Sequence, residues 1–128
     1  MRCAVYQPGY FQPLHYYARM LSVDRFVLLD KAQLNRKVGQ THATVYGKGG
    51  TVQLTVPVMG GNRLSLDEAI PDYAAGWEQK HLATIRQLYK NAPMFSYWYP
   101  MLEEHLLLMK EERASLGQIG CNQAFAIL

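Results

Sequence analysis

CAVYQPGYFQPLHYYARMLSVDRFVLLDKAQ, residues 3–33, sets the arrangement of the rest of the chain. An apolar strand from Cys3 to Tyr6 runs into a turn punctuated by Pro8, Gly9 and Pro13. A short helix starts near Leu14, and a second apolar strand, Arg25 to Leu29, ends at Asp30. Pro8 removes a backbone donor and Pro13 fixes φ just before the helix, so the turn is stiff. Leu14, Tyr17, Ala18 and Leu21 recur at near-helical spacing and predict the inward face, with His15, Tyr16 and Arg19 elsewhere. The run Phe26-Val27-Leu28-Leu29 is continuous rather than alternating, which predicts a strand covered on both faces and parallel to the first. Gln7, His15 and Asp30 fall at strand ends or a helix start, where open α/β sheets bind small molecules.

Working outward, Thr41–Tyr46 and Thr51–Pro57 are rich in Thr and Val around Gly47-Lys48-Gly49-Gly50, which predicts a β-hairpin with a tight turn. Val52, Leu54 and Val56 alternate with Thr51, Gln53 and Thr55, giving one buried and one polar face. Before the hairpin lies a basic segment with Lys31, Arg36 and Lys37. Met59–Asp72, with Gly60, Gly61, Asn62 and Pro71, reads as a loop, either a flap or a surface connection. Trp77–Tyr89 is a helix with a stripe of Leu82, Ile85 and Leu88 or Tyr89, joined by Trp77 or His81; Asn91 and Pro93 stop it. Phe95–Arg113 is a further helix whose first turns Pro100 should bend or separate. In the last segment Ser115 is a candidate cap and Leu116, Ile119, Ala124, Phe125 and Leu128 form an apolar side, weakened by Gly117 and Gly120. An apolar end is expected to be buried in the chain's own core or against another copy, unless the chain has been cut short, so a homo-oligomer through the C-terminal helix is one expectation.

The fold class that follows is α/β: a small sheet with an N-terminal β-turn-α-β unit, extended by the hairpin, and C-terminal helices, as one domain over residues 1–128. The 128 residues and 49% hydrophobic content suit that size. A net charge of +3 is compatible with an anionic ligand but short of the basic density of a nucleic-acid binder. Cys3 and Cys121 have no CxxC spacing, so no disulfide framework or zinc site is indicated and a cytoplasmic location is the simplest. No segment has the roughly 18–20 apolar residues of a membrane span. There is no P-loop, GxGxxG, Ser-His-Asp spacing or metal-ligand cluster, hence no metal and no cofactor is expected.

Several separated stretches resemble one family, the WbqC-like proteins. They are Tyr6-Gln7-Pro8-Gly9-Tyr10-Phe11-Gln12-Pro13, the pair Tyr16-Tyr17, the strand ending at Asp30 with Gln33 after it, and Leu54-Thr55-Val56-Pro57-Val58. Trp77 with Lys80-His81 and Tyr89-Lys90-Asn91-Ala92-Pro93-Met94-Phe95 complete the set. The chain departs from the family at Lys31, where the pattern has an acidic residue, and at Thr41-His42-Ala43, where it has Asn-Arg-Asn. It resembles roughly the N-terminal half of a longer pattern. The resemblance implies surface-polysaccharide biosynthesis and work on a nucleotide-linked (amino) sugar, by acyl or aminoacyl transfer or by binding alone.

His15, near a helix N-terminus, could contact an anion, or it could simply pack at the surface. His81, four residues from Trp77 on one face, is a candidate base or a satisfied core histidine. Asp30 is the carboxylate candidate for a base, a ribose contact or a structural cap. These three are the catalytic candidates. Gln7 and Gln33 suit hydrogen-bonded recognition. Lys80 could meet a phosphate, and Tyr10 and Trp77 could stack on a base or sugar. The competing reading is a non-catalytic, divergent or truncated relative acting as an oligomerising or interaction module.

Overall fold

A computed structural model of the chain describes residues 1–35, 40–60 and 63–127. Arg36 and Lys37 of the basic segment, Gly61 and Asn62 of the loop, and Leu128 lie outside the described residues. The elements are β1 (Cys3–Tyr6), α1 (Leu14–Ser22), β2 (Arg25–Leu28), β3 (His42–Gly47), β4 (Gly50–Thr55), α2 (Trp77–Tyr89), α3 (Phe95–Glu111) and α4 (Leu116–Ile127). The fold is mixed α/β, with β1 to β4 and α1 in the N-terminal half and α2 to α4 in the C-terminal half.

β1 and β2 pair in parallel, in register from Cys3 opposite Arg25 to Tyr6 opposite Leu28, with α1 as the crossover. The buried face of α1 is Tyr16, Tyr17 and Met20; of the expected inward face Tyr17 is buried, while Leu14 is 84% exposed and Ala18 and Leu21 are exposed too. The tyrosines win because each buries a ring and also finds a partner for its hydroxyl. Tyr16 donates to the Gln7 carbonyl (2.9 Å) while its ring packs on Tyr6 and Phe26, and the Tyr17 hydroxyl accepts from the Gln12 N–H (3.1 Å). Tyr6, Phe26 and Leu28 point to this cluster, which Ala124 of α4 completes. Val5, Val27 and Leu29 on the opposite face are exposed, so the second strand is covered on one face and not on both.

The hairpin forms as expected, from His42 opposite Thr55 to Gly47 opposite Gly50, but as a sheet of its own rather than an extension of β1–β2. Its apolar face is drawn elsewhere: Ala43, Leu54 and Val56 join Tyr10, Trp77, Leu82, Ile85, Leu106 and Ile119 in the main core. Val52, near the turn, stays exposed. Gly50 takes the left-handed φ of 123° that closes the hairpin.

The Met59–Asp72 stretch is exposed at Met59, Gly60 and Arg63, but from Leu64 onward it packs into the molecule rather than running over the surface. Leu66, Ala69 and Pro71 are fully buried, and the backbone is tied to residues 32–34 by Leu34 N–H to Leu64 O (2.8 Å) and Leu66 N–H to Ala32 O (2.8 Å). Two of its carbonyls also take the first amides of α4, Leu116 N–H to Ala69 O (2.7 Å) and Gly117 N–H to Leu66 O (2.9 Å). Ser115 caps that helix reciprocally: Gln118 N–H donates to Ser115 Oγ (3.2 Å) and Ser115 N–H to Gln118 Oε1 (2.8 Å). α3 continues through Pro100 as one helix, so its first turns are not separate. On α4, Phe125 is 66% exposed, while Gln123 takes a buried place that the apolar pattern did not assign.

Candidate functional site

The carboxyl ends of the two parallel strands open onto a cleft of about 440 Å³ beside the first turn of α1. Gln7, Gln12, His15 and Gln40 supply its polar groups, and Val5, Tyr6, Tyr16 and Leu29 its walls. The Pro8–Gly9 turn sends the chain from β1 into α1, which puts Gln7 at the strand end and His15 on the helix start. The turn is locked from both sides. Tyr16 holds the Gln7 carbonyl, and Gln40 donates from Nε2 to Gln7 Oε1. Gln40 is itself fixed by Asn35 N–H (2.7 Å to Oε1) and by its carbonyl, which accepts Tyr10 N–H (3.1 Å). The Gln7 side chain is therefore oriented before any ligand arrives. The amides of Leu14 and His15 belong to the helix turn that has no intrahelical acceptors, a natural place for an anionic group.

Of the candidates read from the sequence, Gln7 and His15 come together here. Gln12 and Gln40 were missed. Gln12 sits inside the motif without standing out, and nothing in the local pattern marks Gln40, which long-range backbone bonds bring in. Asp30, half-buried, does not line the cleft; its carbonyl accepts Asp67 N–H (2.9 Å). Its charge adds to burial in pushing the Cys121 thiol up. Gln33 bridges to Ser65 across the 59–72 stretch. Lys31 pairs with Asp67 at 2.7 Å; that hydrogen bond and charge raise the lysine and, with Ser65, lower the aspartate. Thr41 and Ala43, in the segment that departs from the family pattern, are buried at the start of the hairpin.

Tyr10, Trp77 and His81 form a separate, packed aromatic cluster, with Tyr10 edge-on to Trp77 at 5.8 Å and His81 at 5.4 Å from Tyr10. Lys80 is exposed on the outer face of α2. His81 is 2.8 Å from the Tyr10 hydroxyl through Nδ1 and 3.1 Å from the Thr55 carbonyl through Nε2. A carbonyl only accepts, so Nε2 carries the proton and Nδ1 accepts from Tyr10. Burial holds the His81 pKa below its ordinary 6.5, against a smaller raising effect from the Thr55 carbonyl, and burial lowers His105 as well.

The unfolded chain binds these protons near pH 6.5 and the folded chain does not. Stability should therefore be fully present above that pH and fall as pH drops through about 6.5 toward the lowered folded values. Urea unfolding between about pH 8 and pH 5 reads the effect. A flat profile would mean that neither imidazole is held neutral by the fold.

A family model described as the WbqC-like protein family matches residues 7–127. No curated protein and no solved structure matches the chain. The matched span takes in the cleft from Gln7 onward, β2, the hairpin and α1 to α4; β1, Cys3–Tyr6, lies just before it.

Proposed function

Since the chain belongs to the WbqC-like protein family, we propose that it acts on a nucleotide-linked (amino) sugar in surface-polysaccharide biosynthesis, as a transferase or a ligand-binding protein, through the cleft at the ends of β1 and β2. The observation that carries this reading is the convergence of Gln7, Gln12, Gln40 and His15 where parallel strands end over a helix start. A volume of about 440 Å³ falls within the roughly 300–1,000 Å³ of small-molecule sites. Carboxamides recognise sugar hydroxyls and base edges without moving protons, and His15 with the α1 amides suits a phosphate. Beside the carboxamides of Gln7, Gln12 and Gln40, the His15 imidazole is equipped for acid–base work.

Thermal unfolding with and without a panel of sugar nucleotides, free nucleotides and acyl-CoAs tests the reading. A ligand at about 100 times its Kd should stabilise by roughly 2.7 kcal/mol, a shift of several degrees. The shift should vanish in His15→Ala, which keeps its unliganded midpoint, and shrink in Gln7→Ala, whose unliganded midpoint should fall because the buried Gln40 amide loses its partner. A shift that survives both substitutions would place the ligand elsewhere.

A second reading is favoured by the open face of the parallel pair, Val5, Val27 and Leu29, together with exposed Phe125: an interaction module that covers these residues with a partner or a second copy. Light scattering separates the two, because a clean monomer that still binds a panel ligand removes self-association.

A further inference from the structure

Next to the cleft lies a second concavity of about 270 Å³, between the Phe11–Gln12 turn, α3 and the last turns of α4. Its walls are Phe11, Tyr17, Met101, Leu102, His105 and Ala126, and Gln12 lines both this space and the cleft, forming their common boundary. The polar atoms here are already engaged with one another. Gln123 Oε1 accepts Phe11 N–H (2.8 Å), its Nε2 donates to His105 Nε2 (3.3 Å), and the Tyr17 hydroxyl takes the Gln12 amide. With these polar atoms turned to one another and its walls mostly apolar, the space suits an apolar group better than a hydrogen-bonding one.

Two further features set it apart from an ordinary surface dent. Phe11 is held at φ 37°, a left-handed conformation uncommon for a bulky residue, and the buried Gln123 clamps its amide. Met101, a large apolar side chain on the wall, is 60% exposed. Strain kept in place by a buried partner, beside uncovered apolar surface, is characteristic of a binding site.

We propose that this concavity is a subsite for an aliphatic chain carried by the molecule whose polar, anionic part occupies the neighbouring cleft, the chain passing over Gln12. The proposal rests on the cleft reading above and narrows its ligand class to one with an apolar tail.

The probes are octyl phosphate and methyl phosphate, which share a head and differ in the tail. The protein is labelled at the Met and Ala methyls and the His rings, and each titration is followed by NMR. Octyl phosphate should bind roughly tenfold or more tighter than methyl phosphate, the gain expected when two or more methylenes leave water. It should move both the His15 ring and the Met101 and Ala126 methyls. Ala126→Trp, at an exposed position on the rim, should bring the two affinities together, as should Met101→Glu. His15→Ala should weaken both probes and leave their ratio intact. Movement at His15 without movement at the methyls, or equal affinities in the unmodified protein, would overturn the subsite and leave the cleft standing. Methyl signals that move while His15 does not would overturn the cleft reading and the joined site. No movement at either would overturn both.

Discussion

Lys110→Met should lower the stability of the protein by about 2–3 kcal/mol, a drop in thermal midpoint on the order of 10 °C. The reason is the charge it would leave behind. Glu78, in the first turn of α2, has a side chain that is 0% exposed, and Lys110 Nζ on α3 is its ion-pair partner at 2.9 Å. Neither carboxylate oxygen accepts a well-directed hydrogen bond within the described structure, so charge pairing alone offsets the cost of taking Glu78 out of water. Lys110 is itself about half exposed, which places the effect below the 3–5 kcal/mol typical of pairs buried on both sides. Adding Glu78→Met to the variant should restore most of the loss, because two apolar groups of similar volume are often as stable as a buried pair. A single variant that melts with the wild type would mean that Glu78 does not depend on Lys110.

Gly120→Ala should be the most damaging glycine-to-alanine change among the described residues. An added Cβ would stand 2.6 Å from the Gly9 nitrogen and 2.9 Å from Pro8 Cβ, closer than any real contact, and the first of these atoms is backbone. Alanine is worth about 1 kcal/mol over glycine in a helix interior, yet forcing the helix off the turn costs about 1–3 kcal/mol, so the net effect is destabilising. The displaced turn carries Gln7, so ligand affinity should fall along with stability. Gly117→Ala should follow the same course more mildly, its Cβ meeting the Leu66–Asp67 backbone at 3.1 Å. Gly49→Ala is the control: nothing lies within 4 Å and its φ is not positive, so calorimetry should find its midpoint close to wild type.

These two cases mark where sequence reading stopped. In α4 the glycines read as weak points of a helix. Their actual role is to let the helix touch two loops, and that depends on neighbours more than a hundred and about fifty residues away. In α2, Glu78 shares the i, i+4 and i+7 face of Leu82 and Ile85, a spacing that the reading of the stripe passed over, and nothing local marked Lys110 as its partner. The leucines of α1 had the right period for a buried face. Tyr17, part of that expected face, is buried as read, and Tyr16 and Met20 took the place of the leucines, the two tyrosine hydroxyls reaching the Gln7 carbonyl and the Gln12 amide.

The sequence by itself determined the elements and their order: the proline-bounded turn, the parallel strands either side of α1, the hairpin around its glycines, the extent of α2 and the Ser115 cap. It also identified the family. All of these are set by local chemistry, by turn residues, capping side chains and apolar period, which act over a few residues. Only the tertiary structure decided which polar groups share a space. Gln40 joined Gln7 and His15 through hydrogen bonds across more than thirty residues, while Tyr10, Trp77 and His81 closed on one another in the core. A site is defined by distances between elements, and those distances are fixed by packing, to which each residue contributes only together with all its neighbours.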